Sequence, residues 1–447
     1  MRLPPEFEKS LNLPNEQLRS LLSSLGEAPP VSIRVHPFKA KVYGPEHTIP
    51  WCKNGFYLNE RPNFTADPAF HAGAYYPQEA SSMFLDHIIR SLGLNRSPIS
   101  CLDLCAAPGG KSTLLRSVLH DASFLLANEI SPKRAAVLAE NLIKWGHERI
   151  AISNLSPLEL GSNEGVFDLV SIDAPCSGEG LFRKSEMAVD QWNAKLVEDC
   201  YIRQRQILSE IWPAVKEDGY VIYSTCTYNR LENEENLIWL KNNKDVDFIR
   251  VPLPENTGIE EVDENEILGY RFWPNRVKGE GFFVSVFRKR SAQKSRRKKK
   301  SFRLTKGIPE LVNHSHFENE GSIFILDDFG LEIISGLLST RRVFNPGFPV
   351  GNMKRSGFVP NHGLFMWRKQ PEIDMIDLAF EDAIKYLKGE DVLVTNKSEK
   401  KVFASFEGFP LGQGKINKNR LISGYPKSLR IRTKYLEGRI RIALPKE

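Results

Sequence analysis

Residues 99–113 read Ile-Ser-Cys-Leu-Asp-Leu-Cys-Ala-Ala-Pro-Gly-Gly-Lys-Ser-Thr, and this stretch decides the fold. An apolar run from Ile99 to Cys105 breaks into Ala106-Ala107-Pro108-Gly109-Gly110, and a helical pattern follows from Lys111. A strand, a tight glycine turn and a helix N-terminus together offer unpaired N–H groups to an anionic ligand. Gly109 and Gly110 are expected to let a cofactor approach the backbone where a Cβ would collide. The next run, Phe124 to Asn128, leads into Glu129, 20 residues after Gly109. An acid there suits the ribose hydroxyls of a nucleoside cofactor; it also suits the start of a helix near Ser131-Pro132. A phosphate-binding loop is the competing reading, since Gly110-Lys111-Ser112 is the tail of one and Val170-Ser171-Ile172-Asp173 resembles its acidic strand. That pattern needs a glycine five residues before Gly110, where Cys105 stands, so the nucleoside site is favoured.

From this centre the chain alternates strand and helix. Strands are expected at 99–105, 124–128, 150–153, 167–172 and 219–224, with helices at 111–119, 132–144 and 194–215 and a late strand from Phe282 to Phe287. Such alternation predicts a mostly parallel sheet covered on both faces, with its ligand at the carboxyl ends of the strands. The loops after Cys105, Glu129, Asp173 and Thr225 then converge on one crevice. Upstream, a helix over Asn15–Leu25 and a strand over Val31–Val35 predict a small α+β module, and a helix from Gln78 to Leu92 leads into the centre.

With 447 residues the chain is too long for one core. The expected division is an N-terminal α+β module (1–72), the central domain (73–290), a basic linker (291–301), an extension (302–385) and a β-rich module (386–447). In the last, Val392-Leu393-Val394, Lys401 to Ala404 and Ile440 to Ile442 are the strand-like runs. The start shows no apolar signal run, and no stretch reaches the roughly 18 apolar residues that span a membrane. The six cysteines form no Cys-x-x-Cys pair, which argues against a metal site and for a reduced, cytoplasmic setting. Net charge is +6, yet Leu411–Glu447 alone holds 10 Lys/Arg against 2 Asp/Glu, and Lys294–Lys300 has six cations in seven residues. Such clusters favour a polyanion partner, although a basic linker is also simply well solvated.

Asp173-Ala174-Pro175-Cys176-Ser177-Gly178 and Tyr223-Ser224-Thr225-Cys226-Thr227-Tyr228 each follow a core strand. A lone free cysteine is usually a small buried hydrophobe. Two in polar loops facing one crevice suggest chemistry. Methylating carbon 5 of a pyrimidine needs such parts, because that carbon becomes nucleophilic only when a thiolate adds at carbon 6. A carboxylic acid beside ring nitrogen 3 stabilises the charge that develops.

At these residues the chain resembles the SUN-type (NOL1/NOP2/sun) RNA cytosine-5 methyltransferases, which use S-adenosylmethionine. The resemblance rests on Cys105 to Lys111, Asp173 to Gly178 and Ser224 to Thr227, supported by Tyr76 to Ser82, Gly178 to Lys184, Asn229 to Glu234 and Arg276 to Phe283. It implies a Rossmann-like class I methyltransferase core, with Cys226 as nucleophile and Cys176 assisting its later release. It further implies that Asp173 and Lys111 hold and polarise the cytosine, while residues 105–111 and Glu129 cradle the cofactor. The family usually has an aspartate near the adenine; here Ser156 aligns there, with Asn154 as a substitute. Beyond residue 300 the layout resembles the bacterial RsmF/YebU-like branch, which methylates small-subunit (16S) ribosomal RNA and ends in a PUA-like module. Gly412-Gln413-Gly414-Lys415 and Gly424-Tyr425-Pro426 carry that likeness. It implies ribosomal RNA as partner, with transfer RNA as the alternative, and a monomer that binds no membrane. Rival readings are a catalytically silent RNA-binding assembly factor and a P-loop nucleotidase.

Overall fold

The computed structural model describes residues 3–42, 47–291, 308, 311, 314–337, 343–369, 371, 374–395, 401–433 and 441–446. The basic run Lys294–Lys300 lies outside them. At the centre is a ten-stranded sheet. Its strands are β1 (Ser100–Asp103), β2 (Phe124–Asn128), β3 (Ile150–Ser153), β4 (Phe167–Asp173) and β5 (Val215–Thr225), then β6 (Val246–Phe248), β7 (Glu260–Glu264), β8 (Ile267–Phe272), β9 (Phe282–Lys289) and β10 (Val343–Asn345). The order across the sheet is β7-β8-β9-β5-β4-β1-β2-β3-β10, with β6 pairing β9. Strands β5-β4-β1-β2-β3 run parallel; the rest are antiparallel additions. The order reverses between β1 and β4, which puts the ligand crevice at their carboxyl ends.

Successive residues feed two cores. Cys101, Leu125, Ile152 and Leu169 pack with Leu114 and Leu115 of α1 (Gly110–Val118) and Leu138 and Leu142 of α2 (Pro132–Trp145). Leu102, Leu126, Ala151 and Val170 face Leu208 and Ile211 of α3 (Ala194–Ile211) and Leu237 and Leu240 of α4 (Glu234–Asn243). Burial on both faces is why these strands are mostly apolar rather than alternating.

Several boundaries differ from the expected ones. The first strand stops at Asp103, so Cys105 lies beyond it. The helix expected over Gln78–Leu92 is a 3₁₀ turn at Ser81–Met83 followed by a helix at Phe84–Ser91. Its first turn is held back because the Glu79 carboxylate accepts from the Ser81 and Ser82 amides at 2.9 and 2.8 Å. The 194–215 helix ends at Ile211, ahead of the Trp212–Ala214 turn that contains Pro213. The β7–β8 hairpin escaped the pattern because β7 is acidic, Glu-Glu-Val-Asp-Glu. Its turn is built by Asn265 and Glu266, both at positive φ (49° and 60°).

The N-terminal segment forms a four-stranded sheet, His47–Ile49, Cys52–Leu58, Val31–Val35 and Tyr75–Pro77 in order. The tail forms a five-stranded sheet from Met375–Asp377, Lys401–Phe406, Phe409–Asn417, Arg420–Ser423 and Val392–Leu393. Of the strand expected at Ile440–Ile442, Arg441 and Ile442 are not part of it. Ile440 lies outside the described residues, and the strand that forms, Ala443–Pro445, pairs with Ala40–Val42. Ile33, Val35 and Tyr75 share one core with Tyr386, Val402 and Leu411, so the two ends of the chain pack together.

The extension is bolted to the centre. Strand β10 closes the sheet beside β3, and Arg368 grips Glu148 through Nε and Nη2 at 2.9 and 3.0 Å. Burial pushes the Glu148 carboxyl up, but hydrogen bonding and charge from Arg368 outweigh it and hold the group well below the usual range. A depressed folded-state pKa contributes stability above the unfolded value, about 4.3, that is lost as pH falls. Glu148→Gln is therefore expected to lower the thermal midpoint by several degrees at pH 7, with the gap closing below about pH 4. Scanning calorimetry of both proteins from pH 7 to pH 3 checks this; a constant gap contradicts it.

Candidate active site

The glycine turn sits where β1 and β4 part. Gly109 has φ 111° and caps α1, and a Cβ there would stand 3.3 Å from Leu138 Cδ1. Gly110 is already helical, and its Cβ would make only an ordinary contact, 3.4 Å, with Tyr76 Cε1; the need for glycine therefore rests on 109. Side chains from α2 hold the turn from outside. Arg134 donates to the Ala107 carbonyl and Asn141 to that of Pro108, both at 2.9 Å. Ala106 donates to the Asn128 carbonyl at 2.8 Å. The Cys105 thiol is pushed up by burial and by the nearby Asp173.

Two residues that sequence reasoning passed over organise this end of the sheet. Asn128 donates to the carbonyls of Leu104 and Leu155, and its own oxygen accepts from Ser153 and Leu155, tying together the ends of β1, β2 and β3. Asp103, wholly buried, accepts from Ser112 at 2.6 Å through Oδ2, while Oδ1 has no partner among the described residues. Burial pushes its carboxyl up to about 7, against the lowering effect of Ser112. A charged residue inside the buried run Cys-Leu-Asp-Leu was the available signal.

Glu129 stands at the end of β2. Its Oε1 accepts from Ser131 at 3.0 Å; Oε2 receives no hydrogen bond, although Arg134 comes within 3.2 Å as an ion pair. Asn154 donates to the Glu129 carbonyl at 2.5 Å. The Ser156 hydroxyl is engaged in a reciprocal N-cap with Glu159 at the helix Pro157–Gly161. Two apolar side chains beside these residues are open to solvent, Ile130 at 62% and Leu158 at 64%.

Across the crevice Lys111 Nζ lies 2.8 Å from Asp173 Oδ1 and 5.2 Å from the centre of the Phe282 ring. Burial lowers the lysine's pKa, but the Asp173 charge and hydrogen bond, with the Cys226 sulfur, more than reverse this and raise it overall. Ser224 also donates to Asp173 Oδ1, at 3.2 Å, which leaves Oδ2 without a partner among the described residues. The two thiols meet. Cys176 Sγ is 3.1 Å from Cys226 Sγ and accepts from the Cys226 amide at 3.4 Å. The hydrogen bond to Cys226 and burial hold the Cys176 thiol well above its usual pKa, and either sulfur can be the donor of the pair.

A buried polar frame fixes both loops. Glu232 accepts from the Ser177 amide at 3.0 Å and from Gln204 at 2.7 Å; Asn229 donates to Glu179 and Glu232 at 2.9 and 2.8 Å. Glu179 also accepts from the amides of Tyr228 and Asn229. Gly180 donates to the Cys226 carbonyl at 2.8 Å, and a Cβ on it would stand 2.8 Å from the Gly281 carbonyl oxygen. The sequence-predicted residues Lys111, Asp173, Cys176 and Cys226 thus converge, with Glu129 on the far side of the turn.

A family model described as 16S rRNA methyltransferase RsmB/F matches residues 94–288. A model of the N-terminal domain of 16S rRNA methyltransferase RsmF matches 3–80, and one of the RsmF PUA domain matches 375–431. Ribosomal RNA small subunit methyltransferase F of Psychromonas ingrahamii is 27% identical over 412 residues, covering 85% of each chain. The protein of the same name from Shewanella sp. W3-18-1 is 29% identical over 412 residues, covering 85% of this chain and 84% of its own. Two solved structures share the fold over 64% of this chain. A methyltransferase homolog from Pyrococcus horikoshii is 24% identical with a TM-score of 0.51 and is covered completely (100%); NSun6 from that organism with SFG is 17% identical with a TM-score of 0.53 and 98% covered. Fold, crevice and matches define the class: the chain is an RNA methyltransferase. Its three matched segments follow one another in RsmF order. Residues 94–288 thus match the RsmB/F methyltransferases, and the segments on either side match the N-terminal and PUA domains of RsmF.

S-adenosylmethionine fits the residues present. Its ammonium and ribose hydroxyls are donors, and the buried Asp103 Oδ1 and Glu129 Oε2 are acceptors lacking hydrogen bonds on either side of the turn. Its adenine has flat faces that stack on apolar side chains, and Ile130 and Leu158 are exposed here.

Proposed function

We propose that this chain forms 5-methylcytosine in small-subunit (16S) ribosomal RNA through a transient bond between Cys226 and carbon 6 of the base. The observation that carries the reading is the meeting of Cys226, Cys176, Lys111 and Asp173 in one crevice beside the turn at 105–111. The names of the relatives support ribosomal RNA as substrate. Asp103 and Glu129 hold the cofactor's polar ends, and Ser156 and Asn154 stand near its adenine. S-adenosylmethionine supplies an electrophilic methyl group when bound. Asp173 Oδ2 receives the exocyclic amine and shares a proton at ring nitrogen 3, and Lys111 keeps that carboxylate in place.

Cys226 attacks carbon 6, and carbon 5 gains the electron density to take the methyl group. Carbon 5 then carries a proton that must leave. Cys176 passes its own proton to the departing Cys226 sulfur, 3.1 Å away, and its sulfur takes the proton from carbon 5 as the carbon–sulfur bond breaks. Cys226, which gives its thiol proton to solvent before attacking carbon 6, is thereby reprotonated, and that first proton is the one released overall, as replacement of a carbon-bound hydrogen by a methyl cation requires. In this reading the segments 1–72 and 386–447 grip RNA and the protein works as a monomer. It acts in the cytoplasm, where all six cysteines stay free. Among the described residues no helix is long and apolar enough to cross a membrane.

The test supplies labelled S-adenosylmethionine with 16S RNA, isolated small subunits or transfer RNA, followed by nucleoside mass spectrometry. 5-Methylcytidine in either ribosomal substrate is the expected product. Label on another atom, or in transfer RNA alone, contradicts the reading.

A further inference from the structure

Beside the thiol loops lies a groove of about 390 Å³ between the N-terminal segment and the loop leading into β9. Glu27 and Pro30 form one wall; Arg183, Asn275, Arg276 and Lys278 form the other. Three cations face one acid. Arg183 is committed to the wall itself, through Glu280 at 3.2 Å and the Ser24 and Gly279 carbonyls. Arg276 reaches Glu260 at 2.6 Å but is exposed. Lys278 has no carboxylate partner among the described residues. Its ammonium lies over the Tyr57 ring, 4.5 Å from the ring centre, and the Tyr57 hydroxyl donates to its carbonyl at 2.7 Å. An ammonium so held keeps its place in water at little entropic cost on binding an anion.

The groove abuts the reaction centre. Gly279, which lines it, is followed by Glu280 and Gly281, whose carbonyls lie against Gly180 beside that of Cys226. Phe282, next in line, carries Lys111 over its ring. One short stretch thus walls the groove on one side and the crevice on the other.

A cytosine reaching Cys226 must leave its stack, and the backbone flanking it needs a fixed path. We propose that this groove receives the RNA strand next to the target cytidine, with a backbone phosphate held by Lys278 and Arg276. The assignment rests on the RNA-methyltransferase reading and adds where the strand runs.

The test measures binding of a small-subunit rRNA fragment by fluorescence anisotropy across a salt series, alongside methylation kinetics on the same RNA. Lys278→Ala is expected to raise Kd and KM for RNA about tenfold and to flatten the salt slope by about one. Lys278→Glu goes further, and Lys278→Arg restores wild-type values. Affinity for S-adenosylhomocysteine stays the same in all three. An unchanged RNA Kd and slope, or a loss confined to kcat, overturns the proposal. A wild-type chain that binds RNA with this lysine-dependent slope yet transfers no methyl group would sink the enzymatic reading and leave the groove standing.

Discussion

Cys226→Ala is expected to abolish methyl transfer, a loss of about 10⁴-fold or more, while S-adenosylhomocysteine binds as before. The size follows from the chemistry. Carbon 5 of cytosine is inert until a sulfur adds at carbon 6, so removing that sulfur removes the pathway and does not merely slow it. The loss has no structural excuse either: the side chain is small, half-buried and outside both apolar cores. Initial rates with labelled cofactor, together with calorimetric titration of S-adenosylhomocysteine, check both halves. Activity within about tenfold of wild type would remove Cys226 as nucleophile.

Cys176→Ala is expected to fail at the other end of the cycle. It deletes the hydrogen-bond partner 3.1 Å from the departing sulfur and the base that takes the carbon 5 proton, while Cys226, Asp173 and Lys111 remain in place. Attack and methyl transfer proceed; release does not. Turnover falls by about 10²–10⁴-fold, and protein–RNA adduct accumulates that survives denaturation and is dissolved by ribonuclease. Denaturing gels run after incubation with 16S RNA and cofactor read this directly. Fast turnover without adduct contradicts the relay between the thiols.

The parallel centre was legible because its strands are buried on both faces and announce themselves as apolar runs, and because Gly109 must occupy a left-handed φ. The thiol loops were legible from polar residues placed after core strands. What escaped depends on partners far along the chain. Arg34, fully buried in Val31–Val35, donates to Gln78, the Gly110 carbonyl, Thr113 and Ser117, and so fastens the N-terminal sheet to the cofactor turn. Nothing near residue 34 marks it. Strand β10 has three residues and gains its identity from β3. The last strand, Ala443–Pro445, is decided by Ala40–Val42, some 400 residues earlier. The hydroxyl of Ser156 shows a different limit: a serine before Pro157 with Glu159 behind it is a helix cap, and that local duty is the one the structure displays.

The account stands on the sulfur of residue 226 becoming bonded to RNA. The adduct formed by Cys176→Ala, digested and sequenced by tandem mass spectrometry, is predicted to carry a methylated cytidine on the peptide containing Cys226. A complex that falls apart on denaturation, or a nucleotide attached to any other residue, would contradict it.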